Sequence, residues 1–332
     1  MKYKSFGNTD LKVSEIGLGC SYLGGTLERG TTNPNQILHD AFDKGINFFD
    51  TADIYSQGNS EKIVGNSFKK MRDQVIISTK VGFYLSNVGS VSSKFKPLYR
   101  YISRSMPWLK SYARDFRSSQ KKQDFSTDYI TRAVENCLKR LQTDYIDILQ
   151  LHNPETGQLE SGELLDTLDR LRQAGKIRYY GVSCRNIEDA LVFLKYAGIS
   201  TLQVPINLLE QEAVGYLLPG AKEKGIAVVA RQPLAGGTIF RSNNVKDSEN
   251  EDSAGANNQK HEQVNKFSFL FDNGSRTISQ AAMKYVLQLQ GVSVVLVGTT
   301  NQNHLKEIVD STDLPLLTEE EMSRIHTIGA TL

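Results

Sequence analysis

Eight times along this chain a short, near-continuously apolar run is followed by a stretch with helical spacing. Strands that are apolar on both faces belong to parallel sheets covered by helices. The runs cover 15–19, 48–49, 75–81, 146–152, 177–182, 202–206, 226–231 and 292–297. Eight such units fit a closed (β/α)8 TIM barrel better than an open sheet. An open doubly wound fold for a dinucleotide wants Gly-x-Gly-x-x-Gly directly after its first strand. Here Gly17-Leu18-Gly19-Cys20-Ser21-Tyr22 lacks the third glycine, and its glycines fall inside the run.

The helices announce their ends. Asn33 and Pro34 start one that Gly45 stops, and Thr127–Leu141 carries an apolar stripe of Ile130, Val134, Leu138 and Leu141. Ahead of the first unit, a turn at Gly7-Asn8 between two short segments predicts an N-terminal hairpin. The α/β barrel is expected to occupy residues 1–332 as one domain, with long loops after its third and seventh strands. The first is an insertion at about 83–126, where the pattern breaks. The second, at about 241–266, is polar and acidic and is expected to be mobile.

Composition narrows the partners. With 332 residues, 39% of them hydrophobic, the core needs neither disulfides nor metal. Cys20, Cys137 and Cys184 show neither metal-ligand spacing nor a disulfide framework, so a reducing compartment is expected and no metal site. The start lacks the apolar run of a signal peptide, and no stretch is long enough to span a bilayer. A cytoplasmic location without membrane insertion follows as the expectation. A net charge of +2 argues against nucleic acid. The oligomeric state has no signature in the sequence.

The chemistry sits at strand ends. Asp50 ends the Phe48-Phe49 run, Lys80 follows Val75–Thr79, His152 closes Ile146–Leu151, and Arg231 closes Ile226–Ala230. In a barrel the C-terminal strand ends meet on one face. A buried acid needs a cation, so Asp50 and Lys80 are expected to pair. Tyr55 lies on the loop beyond Asp50, and an ammonium beside a phenol lowers its pKa from about 10. Tyr55 could then give a proton to a carbonyl oxygen that His152 holds by hydrogen bonding. That is the equipment for carbonyl reduction beside a hydride donor. No carboxylate pair or histidine cluster at the strand ends supports hydrolysis or metal chemistry.

At these residues the chain resembles the aldo-keto reductase superfamily over nearly its whole length. Phe49-Asp50-Thr51-Ala52-Asp53-Ile54-Tyr55, Gly58-Asn59-Ser60-Glu61 through Gly65, Ser78-Thr79-Lys80 and Leu151-His152-Asn153 resemble its motifs, in the family's order. The resemblance implies an NAD(P)-dependent oxidoreductase acting on the carbonyl or alcohol of an aldehyde, ketone or sugar. In it Tyr55 is the proton donor, Asp50 and Lys80 tune it, and His152 orients the substrate. The alternative it leaves is a non-enzymatic dinucleotide-binding regulatory subunit, as among the superfamily's channel-associated members.

The same resemblance places the cofactor. Cys20, Ser183 and Gln203 fall at contact positions, the latter two for the nicotinamide amide, and Cys184 stands where many members have Asn. Arg231, with Pro233, Leu234 and Gly236, is similar to the loop that stacks on the ring and covers the pyrophosphate. A guanidinium can replace the Tyr found there in many relatives. Gly298, Thr299, Thr300 and His304 resemble the adenosine-phosphate site, a glycine turn whose helix offers free N–H groups. The segment has no Arg or Lys before Lys306. NADP(H) is favoured, with NAD(H) the second option. Tyr22 and Trp108 are assigned to the substrate. Residues 94–122 carry nine basic side chains against one acid, leaving the rest at −6. They read as a basic, aromatic lid favouring anionic or large carbonyl substrates, as a solvated amphipathic segment, or, behind these two, as a membrane-surface stretch.

Overall fold

The computed structural model describes residues 1–24, 33–85, 121–239, 262–271, 274 and 276–332. Eight parallel strands close into a barrel: β3 (Ile16–Gly19), β4 (Phe48–Asp50), β5 (Ile76–Val81), β8 (Ile146–His152), β9 (Ile177–Ser183), β10 (Thr201–Pro205), β11 (Ala227–Arg231) and β12 (Val292–Val297). Each pairs with the next, and β12 returns to β3 through Val295–Ile16, Leu296–Gly17 and Val297–Leu18. Phe48 and Phe49 are both fully buried, one facing the barrel interior and one the helical layer. Gly17 is required beside them, because a Cβ there would stand 2.8 Å from the Phe48 ring and 2.9 Å from Val294.

Helices α1 (Pro34–Asp43), α2 (Asn59–Phe68), α3 (Thr127–Leu141), α4 (Glu163–Gln173), α5 (Ile187–Phe193), α6 (Leu217–Glu223), α7 (Ile278–Gln288), α8 (Gln302–Asp310) and α9 (Glu319–Gly329) follow the strands. Their starts use side-chain caps. Asn33 accepts from Asn35 N with Pro34 in the first turn, Ser126 accepts from Tyr129 N, and Thr277 and Thr318 form capping boxes. On α3 the predicted stripe of Ile130, Val134, Leu138 and Leu141 is buried.

The predicted hairpin is β1 (Tyr3–Ser5) paired antiparallel with β2 (Lys12–Ser14). Its Phe6, Leu11 and Val13 pack with Phe48, Ile148, Val229 and Val294 and plug the N-terminal end of the barrel. That leaves the C-terminal end to carry the polar strand termini. None of the described helices is long and apolar enough to cross a membrane.

The insertion at 83–126 is not patternless at its ends. β6 (Phe83–Leu85) pairs antiparallel with β7 (Lys121–Gln123), forming a ribbon at the barrel mouth. The basic stretch between them, with Trp108, lies outside the described residues. So do residues 241–261 of the acidic loop expected at 241–266. Its last part is anchored, since Val264 is buried in the core.

Candidate active site

The barrel ladder continues past the strand ends. Thr51 N donates to Ser78 O at 2.8 Å, Asp53 N to Lys80 O at 3.0 Å, and Asn153 N to Ser183 O at 2.9 Å. Cys184 N donates to Gln203 O at 2.9 Å, and Ile206 N to Arg231 O at 3.1 Å. Each polar strand terminus therefore stands on backbone bonded to its neighbour, which fixes its direction.

Asp50, 2% exposed, is surrounded by donors. Lys80, 1% exposed, pairs with its Oδ1 and donates to Thr51 O at 3.1 Å. Three donors serve Oδ2: Ser78 Oγ at 3.1 Å, Gln150 Nε2 at 3.3 Å and Gln203 Nε2 at 3.0 Å. Gln150 also donates to Ser78 Oγ at 2.7 Å. A buried charge is tolerated when paired and hydrogen-bonded in this way. Ser78 and Gln150 were not among the predicted site residues. They stand two positions before Lys80 and His152 on the same strands, so the two-residue period places them on the same inward face and could have found them.

Lys80 Nζ lies 5.1 Å from the centroid of the half-buried Tyr55 ring. Burial would depress the lysine, but Asp50 and Tyr55 hold its ammonium above the usual range. The expectation for Tyr55 is corrected in sign. Burial raises the phenol and Asp50 adds to this, outweighing the downward pull of Lys80 and Arg231. Tyr55 thus rests protonated.

The His152 ring stands edge-on to Tyr55, 5.9 Å between centroids at 89°. Its other flank meets Phe83 of the mouth ribbon at 4.8 Å and 89°. Gln123 Nε2 donates to His152 O at 3.2 Å and Asn153 O at 2.8 Å, so the ribbon holds the histidine from both strands. Burial, then Lys80, Lys121 and Arg231, press the His152 pKa well below its ordinary value, and the imidazole is neutral. Its Nδ1 is buried with no hydrogen-bond partner. A buried polar atom without a partner calls for an explanation, and a group bound beside it is one.

The residues assigned to a dinucleotide fall on one arc of the mouth. Ser183 Oγ donates to Gln203 Oε1 at 3.3 Å, both side chains being nearly fully buried, so a hydroxyl and an amide sit together. Arg231 Nη2 donates to Cys184 O at 3.1 Å and Arg185 O at 3.3 Å, while Nη1 donates to Gln232 Oε1 at 2.8 Å. Three carbonyl oxygens thus splay the guanidinium at the rim. Pro233 and Leu234 are buried, Gly236 is exposed, and a Cβ at Gly236 would meet nothing within 4 Å. The Cys20 thiol is buried, Cys20 N donates to Asp50 O and Cys20 O accepts from Ser60 Oγ, so this residue braces the acid's strand. Tyr22, assigned to the substrate, is 58% exposed and lies against Gly298, where an added Cβ would be 3.2 Å from its ring.

In the segment assigned to the adenosine phosphate, Gly298 is exposed and Thr299 nearly buried. The N–H groups expected to be free at the start of α8 are corrected: Asn301 Oδ1 accepts from Asn303 N at 2.8 Å and His304 N at 3.3 Å. An Asn at the N-cap position competes with any anion for the same donors. Among the described residues no group of His, Cys, Asp or Glu forms a metal site. The side chains present fit a nicotinamide dinucleotide, with an amide-and-hydroxyl pair beside the acid and an exposed glycine turn further along the rim.

Comparison with known proteins points the same way. The sequence profile of the Aldo/keto reductase family matches residues 15–330. The chain is 30% identical to the Aldo-keto reductase YhdN of Bacillus subtilis, over 99% of this chain and 93% of that protein. Two solved structures superpose with a TM-score of 0.77. One is the holo form of the aldo-keto reductase AKR11C1 of Bacillus halodurans, 28% identical, covering 99% of this chain and 96% of that one. The other is the glycerol dehydrogenase AKR11B4 of Gluconobacter oxydans, 25% identical, covering 99% and 95%.

Proposed function

This chain belongs to the aldo/keto reductase family and is an NAD(P)H-dependent oxidoreductase, and from that premise we propose that it reduces an aldehyde, ketone or open-chain sugar with Tyr55 as the proton donor. The observation that carries the reading is the stack of Asp50, Lys80 and Tyr55 beside a neutral His152.

When bound, the nicotinamide supplies the hydride that adds to the carbonyl carbon. The protein's own work is to seat the carbonyl oxygen between Tyr55 and His152. A neutral imidazole donates one hydrogen bond to that oxygen without competing for its proton. As negative charge develops there, the phenol transfers its proton, and the Lys80 ammonium stabilises the phenolate left behind. Asp50 keeps Lys80 charged and fixed, and its own charge is held by Ser78, Gln150 and Gln203. Ser183 and Gln203 would grip the carboxamide, Arg231 and Leu234 would cover the ring and pyrophosphate, and Gly298–Thr300 would receive the adenosine end.

NADP(H) is the cofactor we assign ahead of NAD(H). The glycerol dehydrogenase among its structural relatives supports adding polyol oxidation to the panel. Fluorescence titration with NADPH and NADH, followed by turnover of 4-nitrobenzaldehyde, glyceraldehyde and glycerol with the tighter cofactor, tests the reading. Tight binding of a cofactor with no turnover of any carbonyl or alcohol would sink it.

A further inference from the structure

Behind the Tyr55 turn lies a group of ionisable side chains with no task in the chemistry above: Glu61 and Cys137, both buried, and Asp53 and Arg140, both half-buried. Glu61, fully buried in the first turn of α2, accepts from Thr79 Oγ1 at 2.7 Å and from Arg140 Nε at 2.5 Å. Thr79 is the residue before Lys80. Arg140 reaches in from the last turn of α3 and also donates to Cys137 Sγ at 3.3 Å.

The Arg140 stem lies directly under Gly58. A Cβ at Gly58 would stand 2.5 Å from Arg140 Cδ and 2.7 Å from Nε. Gly58 ends a turn in which three consecutive residues are left-handed, Ser56 at φ 49°, Gln57 at φ 60° and Gly58 at φ 78°. Two of the three carry side chains, and such backbone persists only where its surroundings hold it. One side is held by Ser56 Oγ, which donates to Leu23 O at 2.9 Å. The other side is Arg140. Tyr55 is the residue immediately before the turn, and Asp53 N donates to Lys80 O at 3.0 Å, so the loop and the lysine strand move together.

We propose that Arg140, held by Glu61, is a positioning residue that clamps the left-handed turn and so sets the Tyr55 phenol against Lys80. The proposal rests on Tyr55 being the proton donor. Its electrical setting is compatible with one clamp and one partner. Burial, then Glu61, push the Asp53 carboxyl well above its ordinary range, and the ion pair of Arg140 is with Glu61. The titratable groups around Arg140 are Asp53, Glu61, Cys137 and Tyr129, and those around Tyr55 are Lys80, Asp50, Arg231 and His152.

The test uses Arg140→Lys, which keeps a cation beside Glu61 but loses the planar group under Gly58, and Thr79→Val, which cuts only the link from Glu61 to the Lys80 strand. Measured for each are kcat across pH, the Kd for NADPH by fluorescence, and Tm. Arg140→Lys is expected to lower kcat about tenfold or more with Kd changed less than about threefold. The high-pH limb of the reduction profile should move up by about half a unit or more, because Lys80 pulls less on a displaced phenol. Thr79→Val should move both quantities in the same direction by a smaller amount. A purely structural role would lower Tm and leave the limb where it is, and that outcome overturns the proposal. So does a fall in kcat matched by an equal loss of NADPH affinity. If Arg140→Lys does not fold, Thr79→Val decides alone by the same two outcomes. Tyr55→Phe run alongside separates the readings: turnover retained there removes the assignment of the acid, whereas turnover lost there with unaltered Arg140→Lys kinetics removes only the clamp.

Discussion

Gln203 donates from Nε2 to Asp50 Oδ2 at 3.0 Å while its Oε1 accepts from Ser183 Oγ at 3.3 Å. The two side chains assigned to the nicotinamide amide are thereby joined to the Asp50–Lys80 ion pair beside Tyr55. Gln203→Ala removes a donor from a buried carboxylate and a carboxamide partner together. Hydrogen bonds to charged groups contribute about 1.5–3 kcal/mol, so kcat/KM should fall about ten- to a hundredfold. Weaker cofactor binding with unchanged turnover at saturation would show that the bond to Asp50 is inert in catalysis.

Tyr55→Phe removes the hydroxyl and keeps the ring that faces Lys80 and His152. Carbonyl reduction should be nearly abolished while NADPH affinity stays within a few-fold, since only the transition state loses a partner. A variant retaining more than about a tenth of wild-type kcat would remove Tyr55 from the role of acid.

Lys80→Met takes the cation from Asp50 and from the phenol at once. An orphaned buried charge typically costs about 3–5 kcal/mol, but three other donors to Oδ2 remain, so the loss should lie at the lower end. Thermal unfolding of the variant measures it. An unchanged Tm would mean that the pair contributes nothing to the fold.

Much of this was legible because barrels convert sequence order into spatial order. Asp50, Lys80, His152, Ser183 and Arg231 each end or nearly end an apolar run, and closing the sheet brings those ends together. What escaped depends on burial or on distant pairing. Whether Lys80 or desolvation governs the Tyr55 phenol is set by how deeply the turn is covered, which no local pattern states. Glu61 and Arg140 are far apart in sequence and each reads alone as an ordinary helical charge. The ribbon of Phe83–Leu85 with Lys121–Gln123 pairs the two ends of an insertion, so neither strand has a turn signal beside it.

The pH profile of reduction follows from two directions. His152 is held neutral by burial and nearby cations, so no loss of activity should appear as pH falls through about 6.5, the ordinary histidine value. Tyr55 is raised, so activity should hold through neutrality and decline only where the phenol ionises, above about 10. Stability responds to the same two shifts in its own way. The unfolded chain binds a proton at His152 that the folded one refuses, so this histidine makes stability fall as pH drops below about 6.5. Unfolded Tyr55 releases its proton first, so its contribution falls as pH rises above about 10. An activity limb near 6.5 would mean that His152 titrates in the folded protein.

Cofactor choice turns on the segment from Gly298 to His304, where the structure supplies less for a phosphate than the sequence promised. An adenosine 2′-phosphate carries close to two charges, and charge-assisted bonds to it contribute about 1.5–3 kcal/mol each. The segment carries no Arg or Lys, the Thr299 hydroxyl already bonds Asn301 N and O, and Asn301 already accepts from the N–H groups of Asn303 and His304. Preference for NADPH over NADH should therefore be modest, about tenfold to a hundredfold, or about 1.4–2.7 kcal/mol. Asn301→Ala releases those two N–H groups to a phosphate, at a cost to helix stability of about 1 kcal/mol. It should widen the preference, and Thr300→Arg should widen it further by adding a guanidinium at the turn. Dissociation constants for both cofactors with the wild type and the two variants decide the matter. A wild-type preference above about a thousandfold would exceed what this segment can supply. In that case the phosphate is held by a cation from another part of the chain, and the assignment of Gly298–His304 as its site is wrong.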